Sequence, residues 1–301
     1  MLPIAIGTAR NKNTMNLKIT IIQTELHWEN AAKNLAMFTE KIASITEVTD
    51  VIVLPEMFTT GFTMNSTQFA ETMDGETVVW MKQQAKSKNA AVVGSLIITE
   101  NNLYFNRLIW VQPDGKIYTY NKRHLFRMAN EHEFYTSGNE RLIVEYKGWK
   151  ICPLICYDLR FPVWSRNKEF KVQSSKFKVD LQSHDKVPNL EPETLNLKPA
   201  FDCLIYVANW PEARKEPWCK LVEARAIENQ VYVVGVNRVG VDGKQMIYSG
   251  NSAVIDPKGN VISNISERQN CIQTIELNRQ ELDDFREKFP VGLDGDDFEI
   301  L

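Results

Sequence analysis

Apolar residues recur along this chain with two periods. Short runs of β-branched and aliphatic residues predict strands, and longer stretches with an apolar residue every third or fourth position predict helices. Leu17–Gln23 is the first strand candidate, rich in β-branched residues. Ala31, Leu35, Phe38, Ile42 and Ile45 then share one face of a predicted helix within Trp28–Ile45. Asp50–Pro55 is a short buried strand that stops abruptly at Glu56. A second helix is predicted over Thr77–Lys88. Ala90–Thr99 and Leu103–Gln112 are strands joined at Glu100-Asn-Asn102, and Pro113-Asp-Gly115 turns the chain back into Lys116–Tyr120. Leu142–Glu145 and Trp149–Ile155 flank a turn at Lys147-Gly148. The second half offers a strand at Cys203–Ala208, a helix at Pro217–Gln230 and a buried strand at Val231–Asn237. Turns at Asp242-Gly243 and Ile255–Gly259 separate short strands, and Asn278–Lys288 is the last helix.

Strands alternate with helices early, and hairpins enter in the middle and late chain. That order fits mixed sheets with helices on their outer faces. Two sheets face to face between helical layers is one such arrangement; an ordinary three-layer sandwich is the other. Residues 1–15 read as a loose leader, with Met15 as an alternative start. Residues 168–199 are polar and mixed in charge, too poor in apolar residues for a core, and read as a surface insertion.

The chain has 301 residues, 44% of them hydrophobic, enough for one large core or two modest ones. Its formal net charge is -3 and it has no long basic block, so nothing points to nucleic acid or anionic lipid. No apolar run approaches the ~20 residues that span a bilayer, and no secretory signal is expected at the N-terminus. The five cysteines (152, 156, 203, 219, 271) have no metal-knuckle spacing. Reduced thiols, a cytoplasmic setting, no metal and no cofactor are therefore expected.

The stretch Ile151-Cys-Pro-Leu-Ile-Cys-Tyr-Asp-Leu-Arg-Phe-Pro162 carries the sharpest chemical signal. An apolar strand ends at Cys156, and a helix is predicted to open at Pro162 and Trp164. Such a start presents one sulfur at a sheet edge, where aligned N–H groups favour a thiolate. A cysteine here can equally be a small buried hydrophobe. Glu56, at the mouth of a buried strand, is a candidate general base. Lys122 follows a hairpin strand and is a candidate for neutralising developing negative charge. Arg160 can grip a substrate carboxylate or pair with Asp158. Trp210 can wall a pocket or fill a core. Glu131 and Glu133 sit in a loop closed by Gly138. His124 is the partner that a protease-like Cys–His dyad would need; His27, His132 and His184 look incidental.

In their order along the chain, Pro-Glu56, Lys122 and Cys156-Tyr-Asp-Leu-Arg-Phe-Pro162 resemble the nitrilase superfamily of carbon–nitrogen hydrolases. Asn209-Trp-Pro211, Ala224–Asn229 and Gly235–Arg238 support the likeness, which spans about residues 16–290 and leaves 291–301 as a tail. Within that superfamily the chain is most similar to the omega-amidase branch. The resemblance implies an α/β fold, a four-layer α-β-β-α sandwich of two mixed sheets flanked by helices. It implies a cysteine thioester mechanism acting on the distal amide of 2-oxo dicarboxylic acid monoamides, such as 2-oxoglutaramate. Cys156 would be the nucleophile, Glu56 the base, Lys122 the oxyanion stabiliser and Glu131 a second acid, with Glu133 competing for that place. Tyr157, Arg160, Phe161 and Trp210 are the expected substrate-binding residues. Another amide or an N-carbamoyl amine is the alternative substrate. A small-molecule partner and a homodimer, pairing near the helix after Cys156, complete the expectation. The connection at 168–199 is longer than the likeness implies.

Overall fold

A computed structural model describes residues 16–168 and 199–300 of the chain. The predicted leader, and nearly all of the predicted insertion, lie outside the described residues.

Thirteen strands form among the described residues. β1 (Leu17–Gln23), β2 (Val51–Val53), β3 (Ala91–Glu100), β4 (Leu103–Val111) and β5 (Ile117–Asn121) belong to one sheet, ordered β13-β1-β2-β3-β4-β5, with β13 at Cys271–Leu277. β6 (Val144–Tyr146), β7 (Trp149–Ile155), β8 (Cys203–Ala208), β9 (Tyr232–Asn237) and β12 (Ala253–Ile255) make the second, ordered β12-β9-β8-β7-β6. β10 (Val239–Val241) and β11 (Ile247–Ser249) form a separate hairpin. Both sheets are mixed. β1, β2 and β3 run parallel in the first and β7, β8 and β9 in the second, with antiparallel strands at the edges.

The two faces of the first sheet explain the layers. Side chains alternate along a strand. Leu17, Ile19 and Ile21 of β1, Val51 and Val53 of β2, and Leu108 and Trp110 of β4 pack in one core with the second sheet. Their neighbours Ile22, Ile52, Ile109 and Val111 belong to another core, under the helices. That outer layer is α1 (Ala31–Ala43) and, after the single turn α2 (Ser66–Phe69), α3 (Glu76–Lys88). Phe38 and Ile42 of α1, with Val78, Met81 and Ala85 of α3, supply its apolar faces. Asn30 caps α1 by accepting the Lys33 N–H at 3.0 Å. A short α4 (Glu131–Phe134) follows β5, and α5 (Lys215–Asn229) covers the second sheet through Trp218, Val222 and Ala226. α6 (Arg279–Lys288) closes that end: Arg279 and Arg286 each meet the buried Asp202 carboxylate at 2.8 Å. The result is the four-layer α-β-β-α sandwich.

Two local expectations fail. β7 does not lead into an α-helix. Cys156–Arg160 is a 3-10 turn, and residues 161–168 continue in turns. The Asp158 carboxylate explains this, because it accepts the Ile155 N–H at 3.0 Å and so closes the chain back on itself. The loop carrying Glu131 is the short helix α4 rather than an open loop. The tail also has structure: Val291–Asp294 is a 3-10 turn, and Ile300 packs against the inter-sheet core.

Candidate active site

Parallel strands leave their carboxyl ends on one side of a sheet, the usual place for a ligand crevice in α/β folds. Glu56 lies just beyond β2, Cys156 directly follows β7, and Asn209 directly follows β8. Lys122 follows β5, and its backbone N–H bonds to the Asn106 carbonyl on β4 at 3.0 Å. Gly138 then donates its N–H to the Lys122 carbonyl at 2.9 Å. A Cβ at Gly138 would stand 2.2 Å from the Asn121 carbonyl oxygen, so only glycine lets this segment lie against β5. That approach is what brings Glu131 over Lys122.

The Lys122 ammonium bonds Glu56 Oε1 at 2.9 Å and Glu131 Oε1 and Oε2 at 2.9 and 3.0 Å. All three side chains are buried. Charged groups survive in an interior only when paired and hydrogen-bonded, and the remaining oxygens are indeed served. Asn106 Nδ2 donates to Glu56 Oε1 at 2.8 Å, the Asn209 N–H to Glu56 Oε2 at 2.8 Å, and the Phe126 N–H to Glu131 Oε2 at 2.6 Å. Glu133 is exposed, so Glu131 is the acid that meets the lysine.

Cys156 is the thiol beside this network, within reach of the charges on Glu56, Lys122 and Glu131. Its φ of +42° is left-handed, an uncommon state for a residue with a Cβ. The expected thiolate preference is not found. Burial, and then the Glu56 carboxylate, push the thiol well above its ordinary value, against the opposing pull of Lys122. The missing α-helix removes the aligned N–H groups that the sequence suggested. The sulfur therefore rests as a thiol with a carboxylate beside it. Burial would lower the Lys122 ammonium, but Glu131 and Glu56 outweigh it and hold the lysine protonated. Glu131 is itself raised, by burial first and despite Lys122, with Glu56 adding to the rise.

Behind the thiol, Asp158 joins the two segments that carry Cys156 and Lys122. It accepts the Tyr120 hydroxyl at 2.7 Å, the His124 N–H at 3.0 Å, His124 Nδ1 at 2.8 Å and the Ile155 N–H at 3.0 Å. His124 thus faces Asp158, stacks on Phe161 with ring centroids 3.7 Å apart, and among the described residues makes no hydrogen bond to Cys156. The Cys–His dyad is not formed, and Asp158 pairs with His124 rather than Arg160. Asp158→Ala would orphan these buried donors. Thermal melts should show a loss of about 3–5 kcal/mol, the range for a broken buried polar network, together with reduced turnover.

A cavity of about 300 Å³ opens over Cys156 and Lys122. Tyr157, Arg160 and Trp210 line it. Phe161 does not; it belongs to the His124 stack, because the 3-10 turn points it away from the cavity. The sequence reading missed Phe62, Arg214, Asp242, Lys244 and Tyr248 on the walls, and Asn106 beneath them. Asn106 left a trace, as a polar residue inside an apolar strand. Arg214 and Lys244 left none, since exposed cations are ordinary.

The family model described as carbon-nitrogen hydrolase matches residues 18–169 and 199–287. The omega-amidase YafV of Escherichia coli (strain K12) is 43% identical over 94% of this chain and 98% of its own length. The 2-oxoglutaramate amidase of Bacillus subtilis (strain 168) is 30% identical over 92% of this chain and 96% of its own. Among solved structures, a CN-hydrolase superfamily protein of Xanthomonas campestris, with an arsenic adduct in its active site, superposes with a TM-score of 0.83. It is 41% identical, over 94% of this chain and 98% of that one.

Proposed function

The chain belongs to the carbon–nitrogen hydrolase family, and on that footing we propose that it hydrolyses the distal amide of 2-oxo dicarboxylic acid monoamides, releasing ammonia through a Cys156 thioester. One observation carries the proposal. A thiol and an ammonium share the floor of one cavity whose wall carries arginines, with a buried carboxylate bonded to that ammonium behind them. The relatives named omega-amidase and 2-oxoglutaramate amidase supply the substrate class.

The chemistry follows from the resting protonation states. Sulfur attacks the amide carbonyl carbon while its proton passes to Glu56. The oxyanion meets the Lys122 ammonium and the Tyr157 N–H, which lies in the first turn of a 3-10 helix where amides lack an intrahelical partner. Glu131 holds Lys122 on its side of the cavity, so the ammonium needs no reorientation. As the tetrahedral adduct collapses, Glu56 returns the proton to the departing nitrogen and ammonia leaves. Water then gives a proton to Glu56 and attacks the thioester. Collapse expels the sulfur, which regains that proton, and the 2-oxo acid departs.

Arg160 binds the remote carboxylate in this scheme. Its guanidinium lies over the Trp210 ring, 5.0 Å from the centroid, and among the described residues it makes no ion pair. The test is ammonia release from 2-oxoglutaramate beside glutamine, an uncharged aliphatic amide and an N-carbamoyl amine. The 2-oxo substrate should have by far the largest kcat/KM; preference for the carbamoyl amine would replace the reading. Arg160→Ala should raise KM for the 2-oxo substrate roughly 10- to 100-fold, the value of a charge-assisted contact. KM for the uncharged amide should barely move, and an equal rise in both would remove Arg160 from this role.

The proposal extends to the setting. The five cysteines are unpaired, which supports a reducing, cytoplasmic compartment. Among the described residues no helix is long and apolar enough to cross a membrane. A homodimer is proposed to form near the segment after Cys156, where Val163 is half exposed. Sedimentation velocity distinguishes it from a monomer.

A further inference from the structure

We propose that Arg214 completes a two-guanidinium subsite for the 2-oxo end of the substrate, Arg160 taking the carboxylate and Arg214 the adjacent keto oxygen. The inference rests on the 2-oxo-acid reading above and deepens it.

Arg214 lines the same cavity as Cys156 and Lys122 but reaches it from the loop after β8. It is partly buried, and among the described residues its guanidinium forms no ion pair and donates no hydrogen bond. A guanidinium held in this way at a cavity wall has its donors available to a ligand. It is also held in place. It lies over the Phe126 ring at 5.3 Å, and its backbone carbonyl accepts Trp210 Nε1 at 2.7 Å. The face of that same indole carries Arg160. Trp210 therefore links the two arginines into one wall, and its backbone N–H is fixed to Asn237 Oδ1 at 2.8 Å.

The ligand chemistry follows from counting acceptors. A 2-oxo acid ends in three oxygens, two on the carboxylate and one on the neighbouring ketone. One guanidinium fork satisfies the carboxylate and leaves the ketone oxygen without a donor. A second cation at the same wall supplies it. The local field has the matching sign. Lys244 adds a further cation, and the Asp242 carboxylate is already engaged by the Lys244 N–H at 2.8 Å, the Met246 N–H at 2.9 Å and the Tyr248 hydroxyl at 2.9 Å. A 2-amino acid would set an ammonium against Arg214 where a 2-oxo acid sets an acceptor. The subsite therefore selects against glutamine as well as for its 2-oxo counterpart.

The experiment uses the full-length enzyme with 2-oxoglutaramate, glutaramate (the same skeleton without the ketone) and glutamine. Arg214→Gln should raise KM for 2-oxoglutaramate roughly 10- to 100-fold, as for loss of one charge-assisted hydrogen bond, with kcat changed far less because Arg214 does not meet the reacting carbonyl. The KM for glutaramate should shift much less, and glutamine should gain relative to 2-oxoglutaramate. Arg160→Gln should weaken 2-oxoglutaramate and glutaramate alike. Arg214→Lys should recover part of the preference, and it carries the comparison should the glutamine variant melt early. Equal loss on both acids, or loss on neither, overturns the assignment. A wild-type enzyme active on 2-oxoglutaramate with a silent Arg214 sinks this inference alone. A wild-type enzyme inert on 2-oxoglutaramate sinks the substrate reading with it.

Discussion

Cys156→Ala should yield a folded protein whose ammonia release falls by about 10⁴-fold or more, as when a covalent nucleophile is removed. The fold should tolerate the change. Alanine is smaller than cysteine, and the strained φ of +42° costs any residue with a Cβ about the same. Cys156→Ser is the sharper version, because it keeps the shape and a protic group beside Glu56. It should be nearly as inactive. A serine hydroxyl is a far weaker acid than even a raised thiol, so one carboxylate is an inadequate base for it. Denaturing quench during turnover adds a second reading: wild-type enzyme should carry the mass of an acyl adduct on Cys156, and neither variant should. Full turnover in either variant would end the nucleophile assignment.

Much of this site was legible because its chemistry sits at strand ends. Glu56 and Cys156 each close an apolar run, and such breaks are visible in any hydropathy pattern. Lys122 was legible by its place after a hairpin strand, and α1, α3, α5 and α6 by their spacing. The failures have one physical source. Contacts between distant segments are not encoded in local period. Asp158 draws the residues after β7 into a 3-10 turn by closing on the Ile155 N–H, and its bonds to Tyr120 and His124, more than 30 positions earlier, hold that turn in place. The same bonds take Phe161 out of the cavity and remove the helix start that would have favoured a thiolate. β13 escaped notice because Cys271–Leu277 alternates weakly, and only its pairing with β1 makes it a strand. Arg214 and Lys244 could not be told from solvated cations until separate segments of the chain met around one cavity.

Lys122→Met should damage both turnover and the fold, and the two effects separate cleanly. In turnover, loss of the charged oxyanion partner should cost at least 10²- to 10³-fold in kcat, about the value of one such donor. In the fold, the loss leaves the Glu56 and Glu131 carboxylates facing each other without their shared cation. Breaking a buried pair in this way costs about 3–5 kcal/mol near neutral pH. The pH dependence fixes the cause. Glu131 is already raised above 4.5 in the folded chain by burial, with Glu56 adding to it and Lys122 opposing. Without the lysine it must rise further. A folded group that binds its proton more tightly than the unfolded one favours folding on the acid side. Stability is then lost as pH climbs from about 4.5 through the folded value. Lys122→Met should therefore unfold more readily as pH rises across that window, with a steeper slope than wild type. Adding Glu131→Gln should flatten the slope and recover stability, because a neutral amide replaces the uncompensated charge, while kcat stays low for want of the ammonium. A double variant as unstable and as pH-sensitive as Lys122→Met would place the cost in lost packing around the lysine stem rather than in the exposed pair of acids.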